Sequence, residues 1–518
     1  MDGGNCYPFF DPEFDPLSEN IPPLRVSVDN ETRDNHTIIK VDSANIHGIL
    51  LEMVQVLSDL NLVISKSYIS SDGGWLMDVF HVTDHHGHKL TDPNLIQHIR
   101  KSLSVAQKQK GSSTSAKVKT SLINFVRANS LNSYCSALEI TTNDHPGLLS
   151  EVTAILSELS CGVGSGEIWT HNGRAAFILY ITEQFTGQPI SDPTHLGYVE
   201  EQVRCIVKAH HFPGELWRVR LLGPTNHQIH TERRLHQLMQ EDKDYEIESP
   251  LSPFKNGHFC LVNMDIEAKR WLGGDGGGNG AVCGPYVSIE TWKERDYLVV
   301  NVRSRDRPKL LFDTVCTLTD LDYDVFHASM SSHGSIAIQE YYVRRMDGCL
   351  INKEMERQSI VQCLVAAVER RIPHGQKIEL RTLDQHGWLS DLSRAFRENG
   401  LSLDNAKFAK EGNWVIGTFY ITDFSSSVFD RVMNQQRLEA LYNTVDSNII
   451  FDKKEHADNE YLGCRKGGLM LRSHFNMLKW TNSSVQWSWN VHQVFYSLGS
   501  LMRSYIDCFS KKFGFIQS

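Results

Sequence analysis

Four stretches of this chain share one local grammar, and repetition on this scale makes the repeat the unit of architecture. They are residues 41–50 (VDSANIHGIL), 140–149 (ITTNDHPGLL), 302–311 (VRSRDRPKLL) and 380–389 (LRTLDQHGWL). In each, a polar residue (Asn45, Asp144, Asp306, Asp384) stands three places before an anchor, which is Gly48, Gly147, Lys309 or Gly387. A glycine follows 25 or 26 places after the anchor, at Gly74, Gly173, Gly334 and Gly412. One spacing never slips: His81, Tyr180, Tyr342 and Tyr420 each lie 33 places after their anchors.

The second copy shows what the grammar encodes. Residues 137–142 alternate, with Leu138 and Ile140 on one face of a half-buried strand. Asn143 and Asp144 are placed to cap a helix, and Pro146 falls where a missing N–H does no harm. Leu148, Leu149, Val152, Ile155, Leu156 and Leu159 then recur at helical steps. After Cys161-Gly162, residues 163–170 extend as a strand, Asn172-Gly173 turns, and residues 175–182 return antiparallel. Ser191-Asp192-Pro193 opens a second helix through Val207, and residues 216–222 supply a last strand. The order is β-α-β-β-α-β, a ferredoxin-like α+β unit with both helices on one sheet face. One unit of about 70 residues has a thin core and leaves a face or an edge uncovered. Four such units in one chain can pair through their sheets, in two pseudo-symmetric pairs whose membership the sequence leaves open.

Length agrees with several units: 518 residues are too many for one core. At 41% hydrophobic and 22% charged, the chain has the balance of a soluble globular protein. A net charge of −10 argues against a protein that neutralises nucleic-acid phosphate over a broad surface. Eleven cysteines without a Cys-x-x-Cys pair read as reduced thiols. Residues 1–30 carry Asp2, Asp11, Glu13 and Asp15 and no apolar core, so no secretory signal is expected there. No run reaches the ~18 apolar residues of a membrane span. The expected setting is cytoplasmic or nuclear, with no membrane.

The expected division is an N-terminal arm (1–35), repeat one (36–104), a flexible linker (105–134) and repeat two (135–222). A charged helix and Gly-rich linker (223–286), repeat three (287–372), repeat four (376–450) and a C-terminal tail (451–518) follow. The helix beginning at Thr231 reads as a solvated element with Leu235, Leu238 and Met239 packed down. The run from Gly273 to Gly280 lacks the Gly-Lys-Ser/Thr ending of a phosphate loop and reads as linker. In the tail, Trp480, Trp487 and Trp489 indicate docking rather than a free end.

The loop into each first helix is where chemistry can sit. A glycine there admits close backbone approach. The N–H groups of the helix start favour a carboxylate, and an Asp or Asn three places earlier can receive an α-ammonium group. The combination suits the zwitterionic end of a free amino acid. The same residues also describe an ordinary strand-to-helix junction, and fourfold repetition strengthens the fold reading more than the ligand reading.

The Asp-x-x-Gly-Leu-Leu loops, the fixed spacing to the tyrosines and the strand order resemble ACT domains, small regulatory modules that in many families bind amino acids. Four of them without a catalytic domain resemble the plant ACT-domain-repeat (ACR) proteins. The resemblance runs from about Leu24 to Ser425, includes the linking segment from Thr231 to Glu246, and returns at residues 497–501 and 513–516. It implies amino-acid contacts from Asp144, Gly147, Leu148 and Leu149 in copy two, which keeps every element. Copy one offers Asn45, Gly48 and Ile49, copy four Asp384, Gly387 and Trp388, and copy three Asp306. The departures are Asn45 and Ile49 in copy one, Lys309 at the anchor of copy three, and Trp388, which can stack on a ligand or fill the pocket. Residues 425–446 are expected to complete copy four.

ACT repeats also end bacterial uridylyltransferases, so a catalytic reading needs metal-binding carboxylates. No Gly-Ser with a following Asp-x-Asp occurs, and His456-Ala457-Asp458 has the wrong spacing for a metal-dependent phosphohydrolase. His85-His86-Gly87-His88 reads as a solvated loop rather than a metal site, and Cys161 and Cys316 read as core. The sequence therefore describes a non-catalytic regulator that binds free amino acids, with no cofactor and no metal. Its alternative is a protein-interaction scaffold or homo-oligomer built on the open sheets. Nucleic-acid binding is disfavoured, since Tyr341 and Tyr342 are adjacent on one strand and must point to opposite faces.

Overall fold

A computed structural model describes residues 25–72, 74–108, 135–224, 230–246, 284–292, 297–348, 354–423, 435–444 and 449–451. The linker core at 109–134, the run from Gly273 to Gly280 and the tail from residue 452 lie outside the described residues.

Repeat one comprises β1 (Arg25–Asp29), β2 (Thr37–Ala44), α1 (Ile49–Asp59), β3 (Val63–Asp72), β4 (Trp75–Thr83) and α2 (Pro93–Lys108). Repeat two runs β5 (Ser136–Asn143), α3 (Leu148–Glu158), β6 (Cys161–His171), β7 (Arg174–Glu183), α4 (Pro193–Ala209) and β8 (Arg218–Leu222). A linking helix, α5 (Thr231–Glu241), follows. Repeat three holds β9 (Tyr286–Trp292), β10 (Tyr297–Arg305), α6 (Leu310–Asp320), β11 (Tyr323–His333), β12 (Ile336–Arg345) and α7 (Glu354–Glu369). Repeat four holds β13 (Gln376–Leu383), α8 (Trp388–Glu398), β14 (Leu401–Glu411), β15 (Trp414–Asp423), α9 (Gln435–Thr444) and β16 (Ile449–Phe451). Among the described residues, no helix is long and apolar enough to cross a membrane.

All four repeats are ferredoxin-like four-stranded units, but they reach that arrangement by two chain orders. Repeats two and four follow β-α-β-β-α-β. In repeats one and three the outer strand comes first, as β1 beside β2 and β9 beside β10. The slot is the same in every case, antiparallel to the strand that leads into the first helix. For repeat three the reason is visible after α7. Only Arg370 to Gly375 separate it from β13, too short a path to cross the sheet and lay down another strand. The slot is filled from upstream, and residues 25–29 are an edge strand rather than a free arm.

The pairing is one with three and two with four, edge to edge. The sheets are ordered β1-β2-β4-β3-β11-β12-β10-β9 and β16-β13-β15-β14-β6-β7-β5-β8. At both seams a small residue faces a large one: Ser67 opposite Met330 and Ile69 opposite Ala328, then Gly166 opposite Phe408 and Ile168 opposite Ala406. Small residues occupy the same repeat position in all four copies, and large ones the position two further on, so each seam interdigitates about a pseudo-twofold axis. A Cβ on Gly166 would lie 2.8 Å from the Phe408 ring and 2.7 Å from Leu179. The invariant 33-residue spacing marks a β-bulge. Ser65, Gly164, Phe326 and Asp404 are each skipped in the register, and the next residue faces His81, Tyr180, Tyr342 or Tyr420.

The linking helix corrects the sequence reading. Leu235, Leu238 and Met239 do pack down, against Trp169, Ala176, Ile178 and Tyr180. Those residues alternate along β6 and β7 with Ile168, Phe177, Leu179 and Ile181, which face the core on the sheet's other side. Repeat two is thus covered on both faces, which explains why β7 is apolar almost throughout. The charged face of α5 is not solvated. Arg234 pairs with Glu139 of β5 at 2.9 Å, Arg233 with Asp320 of α6 at 2.6 Å, and His236 with Asp313 of α6 at 2.9 Å. Glu232 receives Lys309 at 2.6 Å, Lys407 at 2.7 Å and Arg371 at 3.2 Å. Arg371 also grips Asp313 and lies over the Trp169 ring at 4.9 Å. Arg370 holds Asp244 through two bonds of 2.6–2.7 Å. Burial alone would push the Glu232 carboxyl up, but Arg371, Lys407 and Lys309 hold it well below its ordinary range.

Removing one member of this network strands the others. Arg371→Ala leaves Asp313 and Glu232 short of a shared cation, and is expected to lower the unfolding free energy by about 3–5 kcal/mol in urea titration. A loss under about 1 kcal/mol would show that the network tolerates the gap. Asp244 adds a pH signature. Burial pushes its carboxyl up, yet Arg370 and His171 bring it down to about 2. The stability it contributes is present above the ordinary carboxylate range near ~4 and is lost as pH falls from there toward 2.

Candidate ligand site at the strand-to-helix loops

The anchor is required by backbone geometry before any ligand is considered. Gly48, Gly147, Lys309 and Gly387 each stand at the N-cap of a first helix in the left-handed region, with φ of 78°, 86°, 65° and 77°. Glycine enters that region freely, whereas other residues are strained by roughly 1–2 kcal/mol. Lys309 adopts it nonetheless and sends its ammonium to Glu232, not to a ligand position.

The polar residue three places before the anchor is not a helix cap. None of the four first helices has a side-chain cap bond, because the αL residue inserts a tight turn between strand and helix. The backbone N–H does the structural work instead. It donates to the hairpin turn of the same repeat: Asn45 to Gly74, Asp144 to Gly173 and Asp306 to Ser335, each at 2.8 Å, and Asp384 to Asn413 at 2.9 Å. The glycine that recurs in that turn, 25 or 26 places after the anchor, takes a positive φ in every copy (62–83°). The side chains are released for other roles, and they diverge. Asp384 is tied to Lys410. Burial pushes the Asp306 carboxyl up, while Ser332 pulls it the other way. Burial pushes the Asp144 carboxyl up to about 7, and the neighbouring Asp404 carboxylate adds to the rise.

Pairing puts each loop of repeats two and four against the first helix of the other. Helices α3 and α8 lie side by side, with Thr153 and Ser393 joined at 3.0 Å across the pseudo-twofold axis. The loop of copy four meets the end of α3, where His386 Nε2 lies 3.0 Å from Ser157 Oγ. The loop of copy two meets the end of α8. A Cβ on Gly147 would sit 2.8 Å from Arg397 Cδ. Asp144, Gly147, Leu148 and Leu149 together line a cleft with Ser393, Phe396 and Arg397. The cleft as it stands holds about 20 Å³, room for roughly one water molecule.

The other expected positions do not join this cleft. Trp388 is buried, donates from Nε1 to the Val163 carbonyl at 3.2 Å and packs on Phe408, so it fills the core and cannot stack on a ligand. Ile49 is likewise a core residue of repeat one. The loop of copy one turns His47 to Asp324 of repeat three. In the loop at His85, Asp84 accepts the backbone N–H groups of His86 and His88, a closed turn. Arg397, Ser393 and Asp404 were not signalled by the motif. They come from the partner repeat, and only knowledge of the pairing would have selected them.

Residues 32–110 match the profile of the ACR family N-terminal ACT domain. The chain is 42% identical over 442 residues to ACT domain-containing protein ACR4 of Arabidopsis thaliana, covering 85% of this chain and 88% of that one. It is 43% identical over 421 residues to ACR1 of the same plant, covering 80% and 84%. A shorter likeness, 38% over 84 residues, links it to a bifunctional uridylyltransferase/uridylyl-removing enzyme of Gluconobacter oxydans, covering 16% of this chain and 9% of that enzyme. Four ferredoxin-like units with αL-anchored loops define a repeat protein of the ACT-domain regulatory class. Within that class, the chain belongs to the plant ACR family of ACT-domain-repeat proteins.

Gly147→Ala is expected to destabilise the protein by about 1–2 kcal/mol through backbone strain, with a further loss from the Arg397 contact. Adding Arg397→Ala should restore only the second part. Full restoration in thermal unfolding would show that the αL conformation is not what selects glycine here.

Proposed function

We propose that the chain is a non-catalytic sensor of free amino acids, with its principal site between repeats two and four. The observation that supports this reading is the pairing of two opposite groups in one cleft. Asp144 supplies a carboxyl that is held partly protonated near neutrality, and the exposed Arg397 guanidinium makes no ion pair among the described residues. An α-ammonium group on Asp144 and an α-carboxylate on Arg397, beside the helix start, complete a zwitterion. Swinging Arg397 to admit the ligand alters the seam between two repeats, so occupancy is converted into a change of inter-repeat packing. Repeat three, with Lys309 tied to Glu232, serves as structure.

A non-catalytic role is supported by the thiols. Burial pushes Cys161 up to about 11 and Cys316 well above its ordinary range, the reverse of an activated nucleophile. Nucleic acid is disfavoured by the aromatics of repeat three. Tyr341 enters the core, while Tyr342 is 2% exposed among Trp292, Tyr297 and His327 on the opposite face, leaving no open stacking platform.

Calorimetric titration with the common amino acids tests the reading. The parent chain is expected to bind at least one of them in the micromolar to millimolar range, about −8 to −4 kcal/mol. Asp144→Asn and Arg397→Ala should each weaken that binding by roughly tenfold or more. An ammonium partner favours ionised Asp144, so binding near pH 7 releases a proton and weakens as pH falls below 7. Asp144→Asn also separates binding from folding. The raised carboxyl stabilises the fold at low pH, and that contribution is lost as pH rises through about 7. The amide should therefore raise stability at pH 8 by about 1 kcal/mol or more while abolishing the ligand contact. If the parent binds no amino acid, or both variants bind as it does, the loops are plain junctions and the interaction-scaffold reading prevails.

A further inference from the structure

A second chemistry lies beside the copy-two loop. His145 precedes the anchor, Glu151 lies in the first turn of α3, and His210 closes α4. One ligand atom from each falls within 4.8 Å of the others. His210 Nε2 already lies 2.7 Å from a Glu151 carboxylate oxygen, and the two imidazoles are 4.2 Å apart with their planes tilted by 34°. Next to His210, His211 is fixed by Thr142 at 3.2 Å, by the Asn143 N–H at 3.4 Å and by the Val207 carbonyl at 2.7 Å, which ties the end of α4 to β5.

A surface ion pair with a stacked ring accounts for His210 and Glu151 but not for His145. Its Nε2 is shut off from solvent and has no hydrogen-bond partner among the described residues. Its Nδ1 lies 3.3 Å from the Pro146 carbonyl, a contact that places the proton on Nδ1 and the lone pair on Nε2. A buried lone pair without a donor calls for an ion or a water. Two imidazoles and one carboxylate are a ligand set suited to zinc and its first-row neighbours. Ligand atoms around tetrahedral zinc stand about 3.3 Å apart, so modest side-chain rotations close the group.

We propose that His145, Glu151 and His210 form a binding site for a divalent transition ion of the zinc class, with the fourth position left to solvent. The ion would tie the copy-two loop and the start of α3 to the end of α4. His145 also borders the cleft of the amino-acid reading, but none of the three residues is assigned a ligand contact there, so metal binding and amino-acid binding are tested separately.

Zinc and cobalt(II) are the probes, titrated into the full chain after chelator dialysis. The expected result is one ion bound at this site, with the absorption of tetrahedral cobalt and no thiolate-to-metal band. His210→Ala and Glu151→Gln should each lose affinity by roughly tenfold or more with unchanged circular dichroism, whereas His86→Ala should not. Zinc should also raise the thermal midpoint of the parent and not of His210→Ala. No stoichiometric binding, thiolate-dominated cobalt absorption, equal binding by folded His210→Ala and Glu151→Gln, or loss of the site in His86→Ala would each overturn the proposal.

Discussion

The assembly depends on keeping several carboxylates ionised inside the protein. Glu232, Asp313 and Asp244 are buried, and taking each out of water costs several kcal/mol unless cations and hydrogen bonds replace the lost hydration. The replacements come from separate stretches of the chain: Lys309 and Arg307 from repeat three, Lys407 from repeat four, and Arg370 and Arg371 from the short connector between them. Such a network is satisfied only when all its elements are in place. It therefore ties the linking helix to repeats three and four at once. The linking helix is the natural hub, since one side offers three apolar residues to a sheet and the other offers charges to a helix.

The same dependence shapes the candidate ligand site. Each repeat encodes its own loop, but the groups that complete the cleft at Gly147 belong to α8. Position along the repeat decides what a loop meets. Arg397 faces the anchor of copy two and Ser157 faces that of copy four, and both stand at the same distance beyond their own anchors. One geometry thus yields a cationic wall in one site and a hydroxyl in the other. The loops of copies two and four differ in the residue their partner helix presents to them, while copy three differs within the motif itself, at Lys309.

Much of the fold was legible in the sequence because its signals are local. The apolar steps from Leu148, the turn at Asn172-Gly173 and the Asp192-Pro193 helix start all act within a few residues. Asp192 does cap its helix, accepting the His195 N–H at 3.0 Å. Asp144 was misread by the same rule because the αL anchor adds a turn that composition does not reveal. The outer strands of repeats one and three were missed because residues 25–29 and 286–292 lie upstream of the grammar that marks a repeat. The charges of α5 looked solvated because Asp313 and Arg371 are far along the chain. His145 and His210 escaped notice for the same reason, as no short spacing announces them.

The pairing of alternate repeats has a consequence for how the chain is made. Because one joins three and two joins four, no contiguous half of the protein contains a complete pair. When β3 leaves the ribosome its outer edge faces solvent, and its partner β11 has not been translated. At roughly 5–20 residues per second, the wait lasts on the order of tens of seconds. β6 waits in the same way for β14. A nascent chain of this design carries two open strand edges at once, each a template for a wrong neighbour. The small-against-large seams set the register in which a late strand joins, but the pattern is shared by all four copies, so it does not by itself exclude the wrong neighbour.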